Sequence, residues 1–91
     1  MRDDRHAEPV LDLDGLRVAQ AISQTNAFLL REQARGSVAV RIITGHGTGA
    51  IKTAIRALLV NHPAVASSLP SLGTDAATLV VLSPKPRTGH R

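Results

Sequence analysis

The sequence predicts an α/β two-layer sandwich, ordered β-α-β-α-β-β, with a mixed four-stranded sheet and two helices on one face. Three observations predict it. Helical-period segments alternate twice with apolar, strand-like runs; a glycine-rich loop, TGHGTGAIKT at 44–53, opens where the second run meets the second helix; and two further strand-like segments follow, joined by a short turn-rich link.

In order, 1–8 carries mixed charge without periodicity and reads as a disordered leader or the end of a linker. PVLDLD, 9–14, alternates: Leu11 and Leu13 point one way and Val10, Asp12 and Asp14 the other, until Gly15 ends the strand. From Leu16 to Arg35, apolar residues at Val18, Ala21, Ile22, Phe28 and Leu29 keep helical spacing, and Gly36 is placed to cap the C-terminus. SVAVRII, 37–43, is β-branched and almost wholly apolar, as a central strand should be. The second helix carries an apolar stripe of Ile51, Ala54, Ile55, Leu58 and Leu59, with Lys52 and Arg56 sharing its solvent side, and Asn61, His62 and Pro63 stop it. Val65 to Leu69 is a weaker strand and ATLVVL, 77–82, a stronger one, close enough to form an antiparallel hairpin. The domain thus spans 9–83, followed by a basic disordered tail at 84–91. Right-handed crossovers make the earlier strands parallel and leave one sheet face partly open, with Asp12, Asp14 and Arg41 projecting from it.

Composition narrows the function. A chain of 91 residues is one small domain burying about 60–65% of its unfolded surface. It has no cysteine, hence no disulfide framework or thiolate metal site, and no apolar run approaches a membrane span, so no membrane partner is expected and the cytoplasm is the default location. Eleven Lys and Arg against seven Asp and Glu give a formal charge of +4, which favours polyanions. Phe28 is the single aromatic residue outside the histidines and sits in a helical pattern, so base-stacking recognition is not expected, and if nucleic acid binds, phosphate contacts must do most of the holding.

A ligand in such a sheet sits beyond the carboxyl ends of the parallel strands. Asp12 and Asp14, the loop Thr44 to Gly49, and PSLGTD with Thr74 and Asp75 converge there. Glycines let successive amides approach an anion, and the following helix N-terminus favours negative charge. The loop fails the Walker spacing, because Ile51 precedes Lys52-Thr53; GHGTGA satisfies G-x-G-x-x-A, but the chain lacks the acidic residue and second half of a dinucleotide fold. A small phosphometabolite- or nucleotide-binding protein therefore stays open beside a nucleic-acid module.

LDLDGLRVAQA, VRIITGHGTGAIKTAIRALLVNHPAV and GTDAATLVVL, taken together over 9–82, resemble the Smr (small MutS-related) domain. The resemblance implies a fold similar to the C-terminal domain of translation initiation factor three. It also implies binding to branched or structured DNA or RNA, and, in many members, endonucleolytic nicking. Such domains occur alone or at the C-terminus of a MutS paralogue, a larger ATPase chain that suppresses recombination or acts on stalled ribosomes. Members commonly read LDLH or LDLR, then HG at the loop; this chain has Asp14 and Thr44 there, and His46 at a variable position. Two familiar histidines are absent, so a binding-only domain stands beside a cleaving one.

The candidate catalytic residues are Asp12, Asp14, Thr44 and His46, and the candidate nucleic-acid contacts are Gly45, Gly47, Thr48, Gly49, Lys52, Arg17, Arg41, Arg56 and Asp75. Asp12 and Asp14 could share a metal or divide acid and base roles; alternatively Asp12 pairs with Arg41 while Asp14 caps the first helix. His46, with an intrinsic pKa of about 6.5, suits acid catalysis or donation to phosphate. Thr44 and His46 would support the departing or attacking oxygen. No histidine pair has metal-ligand spacing, so no metal site is assigned, and magnesium or manganese is left as an open requirement.

Overall fold

A computed structural model describes residues 8–45, 49–70 and 76–84. Its elements are β1 (Val10–Asp12), α1 (Val18–Arg35), β2 (Ala39–Ile43), α2 (Ala50–Asn61), β3 (Val65–Pro70) and β4 (Ala77–Leu82). This is the expected order. The sheet runs β1-β2-β4-β3, with β1 parallel to β2 and β4 antiparallel to both its neighbours.

The helical crossovers were expected to give parallel strands, and β1, β2 and β3 do run the same way. However, β2 and β3 are not neighbours, because β4 returns between them. The apolar content of ATLVVL explains the placement: Ala77, Thr78, Val80 and Leu82 are buried, as a central strand requires, whereas the polar Ser67 and Ser68 of β3 are exposed at the sheet edge. A register shift between Val65 and Ser67 further interrupts that edge.

Both crossovers step across the sheet in the same direction, so right-handed connections put both helices on one face. There Ala21, Phe28 and Leu29 of α1 and Ile55 and Leu59 of α2 meet Leu13, Val40, Ile42, Val80 and Leu82 in one buried cluster. The α2 stripe is as expected. On α1 the buried line is Ala21, Thr25, Phe28, Leu29 and Glu32, and Ile22 lies beside it, 36% exposed. Buried Glu32 accepts the Ser37 hydroxyl at 2.7 Å and lies 3.6 and 3.8 Å from Arg31 and Arg35. Gly36, at φ 86°, closes α1 as expected, its N–H donating to the Gln33 and Glu32 carbonyls.

α1 begins later than the apolar pattern suggests. The Leu16 N–H donates to the Leu13 carbonyl at 3.1 Å across a turn in which Gly15 has φ 85°, so the helix starts only at Val18. Gln20 Oε1 accepts the Arg17 N–H at 3.2 Å there. Asp14 therefore does not cap α1, and strand alternation stops at Asp12, leaving Asp14 free of the sheet's two-residue period.

Candidate nucleic-acid interface

The turn at 13–16 brings the start of α1 beside the start of α2. A cleft of about 560 Å³ lies between them, lined by Asp14, Arg17, Thr44, Gly45, Gly49 and Lys52, with Leu16 and Ile51 among its apolar wall. Two helix N-termini open onto this cleft, and neither carries an acidic residue in its first turn. Their dipoles favour an anion, and Arg17 and Lys52 add positive charge.

The floor is held by backbone. Thr44 is buried; its N–H and its hydroxyl both donate to the Ala76 carbonyl, at 2.7 and 3.1 Å, and the Gly45 N–H reaches the same oxygen at 3.1 Å. The exit of β2 is thereby fastened to the entry of β4. Gly45 has φ 81°, a conformation that disfavours a side chain, and a Cβ built there would meet the Asp14 carboxylate, which would have to move aside. Gly49, at φ 92°, turns the chain into α2.

The sequence candidates divide accordingly. Asp14, Arg17, Thr44, Gly45, Gly49 and Lys52 come together in the cleft, whereas Arg56 is exposed further along α2. Asp12 is exposed at the end of β1, outside the cleft lining, and its Oδ1 accepts the Asp14 N–H at 2.9 Å. The two aspartates do not face the cleft as a pair. Arg41 pairs with Glu8 at 2.7 Å on the open sheet face, not with Asp12, so Glu8 belongs with the folded chain rather than the leader. His46, Gly47, Thr48 and Asp75 lie outside the described residues.

No group of three or more His, Cys, Asp or Glu side chains capable of holding a metal ion occurs among the described residues. Among the described residues of the cleft lining, Asp14 is the one acid, and it stands beside two cations.

His62, which the sequence suggested only as a helix stop, ties three elements together. Its Nδ1 accepts the Ala64 N–H at 3.0 Å, which leaves the proton on Nε2 to donate to Asn26 Oδ1 of α1 at 2.7 Å. Burial lowers its pKa below the usual 6.5. No sequence pattern marks Asn26 as its partner, 36 residues away.

Residues 11–83 match the sequence model of the Smr domain family. This chain belongs to that family. The Smr match takes in both helices and all but the first residue of the sheet. Relatives include Endonuclease MutS2 of Halalkalibacterium halodurans, 38% identical over 65 residues that cover 71% of this chain, and Endonuclease MutS2 of Solidesulfovibrio magneticus, 37% identical over 76 residues covering 80%. The Smr chain spans only 8% and 10% of those two proteins. Its fold superposes on the Smr domain of Thermus thermophilus MutS2 with a TM-score of 0.81 and 34% identity, covering 84% of this chain and 99% of the other. YdaL, a stand-alone small MutS-related protein from Escherichia coli, shares the fold at TM-score 0.78 and 21% identity, over 89% of this chain and 71% of that one. Membership in this family supports a nucleic-acid-binding module of the nuclease type. No helix among the described residues is long and apolar enough to cross a membrane.

Proposed function

We propose that this Smr domain grips the phosphate backbone of branched or structured nucleic acid in the cleft between its two helix N-termini and nicks it. The observation that carries the reading is the convergence of both N-termini with Arg17 and Lys52 on one nucleotide-sized cleft. Gly45 and Gly49 let backbone approach the strand, and Gly47, Thr48 and Asp75 extend the contact along it. Arg41 and Arg56, away from the cleft lining, reach only flanking backbone.

In hydrolysis, a water attacks phosphorus and the bridging oxygen departs with a proton. The phosphate that is cut is the one at the edge of the cleft, next to the gripped one: there Asp12, at the end of β1 outside the cleft lining, orients or deprotonates the water, and His46 protonates the departing oxygen. Thr44 acts by holding the loop floor, since its hydroxyl proton is committed to Ala76. The names of the MutS2 relatives support endonuclease chemistry, and recombination control, repair or ribosome rescue are the processes it would serve as part of a longer ATPase chain.

The test is nicking of supercoiled plasmid and of a structured RNA, with and without magnesium or manganese. Wild type should cut, and Asp12→Ala and His46→Ala should each lose at least about a hundredfold in rate, as removal of an acid or base does. A second reading rests on Asp14 and Thr44 standing where the Smr resemblance leads one to expect histidine: a domain that binds without cutting. Salt-sensitive binding with no turnover in wild type would establish it.

A further inference from the structure

One group in the cleft works against a phosphate. Asp14 lies over Gly45, at the place where a side chain on that glycine would sit, and among the described residues is the single acid in a lining that carries Arg17 and Lys52. An ionised carboxylate only accepts hydrogen bonds, so it repels phosphate oxygens and is satisfied by a donor beside them. A cation is opposed by Arg17 and Lys52, and the nearest sequence acid, Asp12, already takes the Asp14 N–H. A neutral donor that stands beside every backbone phosphate of an RNA strand, and that DNA lacks within the strand, is the ribose 2′-hydroxyl.

We propose that Asp14 makes the cleft selective for ribose. Its carboxylate accepts a hydrogen bond from the 2′-hydroxyl of an RNA strand whose phosphate lies against Arg17, Lys52 and the two helix N-termini. The inference rests on the nucleic-acid reading above and names which polymer that same site prefers. It also explains the closeness of Asp14 to Gly45: the missing side chain leaves room for the carboxylate at the mouth of the loop.

The experiment is fluorescence anisotropy with a labelled single-stranded RNA and the DNA of the same sequence, in chelator at fixed salt, for wild type, Asp14→Ala and Asp14→Asn. Wild type should bind the RNA about tenfold more tightly, the scale of one hydrogen bond to a charged group. Asp14→Ala should bring the ratio to about one while DNA binding holds or strengthens, because a negative charge has left the cleft. Asp14→Asn keeps an acceptor oxygen and should retain part of the preference. Equal binding of both polymers by wild type, or a preference unchanged in Asp14→Ala, overturns the ribose assignment alone. A preference that appears only when magnesium replaces chelator assigns Asp14 to a cation and also overturns it. Absence of binding to either polymer overturns the nucleic-acid reading and this proposal with it.

Discussion

At the residue scale, His62 shows how one side chain can carry a connection between elements. Protonating its Nδ1 would set two donors against each other at the Ala64 N–H, and burial already opposes the charge. Because the folded pKa is lowered, the sign is fixed. Above about pH 6.5 neither state takes the proton and the group contributes no pH dependence. As pH falls through 6.5 the unfolded chain binds a proton that the folded chain refuses, so stability declines until the lower folded pKa is reached. Urea unfolding across pH 4–8 should show this decline in wild type, and His62→Gln should flatten that part of the profile. An identical slope in both proteins would remove His62 from the linkage. The histidine itself was visible in the sequence, but its effect depends on Asn26, which only folding brings to it.

At the scale of the elements, α1 buries a line that includes Thr25 and Glu32. Glu32 has its serine and arginine partners, whereas the Thr25 hydroxyl oxygen is buried without a hydrogen-bond partner. A buried, unpaired hydroxyl costs free energy that an isosteric methyl group does not. Thr25→Val should therefore stabilise the domain by about 1 kcal/mol in chemical denaturation; a loss of stability would show that the hydroxyl has a partner in solution. The same helix marks the limit of reading periodicity. Val18, Ala21, Ile22, Phe28 and Leu29 identified a helix and its approximate face, but Ile22 proved half-exposed and Thr25 took the inner position. A few tens of degrees of helix rotation, set by packing against α2 and the sheet, decide between them. β4 was legible residue by residue because its apolar run is short, β-branched and bounded by turn residues. The start of α1 was not, because the Leu13–Leu16 turn consumes two residues whose apolar and cationic side chains suit a helix equally well.

At the scale of the whole molecule, charge is distributed unequally between the two ends of function. Arg17 and Lys52 line the cleft, while Arg41 is bridged to Glu8 on the open sheet face. If the cleft is the nucleic-acid site, Lys52→Ala should weaken binding and reduce the slope of log affinity against log salt by about 1. Arg41→Ala, which removes at most a flanking contact from an arginine bridged to Glu8, should lower that slope clearly less and cost no more than about 1 kcal/mol of stability from its ion pair. Equal losses in both variants would instead spread the interface over the sheet. The sequence by itself determined the order of elements, the glycine loop, the single buried aromatic and the family, because periodicity, β-branching and loop spacing are local properties of the chain. Tertiary structure decided that β4 lies between β2 and β3, that Asp14 enters the cleft while Asp12 stays outside, and that Arg41 pairs with Glu8. Those outcomes depend on which surfaces compete for burial and on a turn that breaks the strand's two-residue period, neither of which a linear pattern contains.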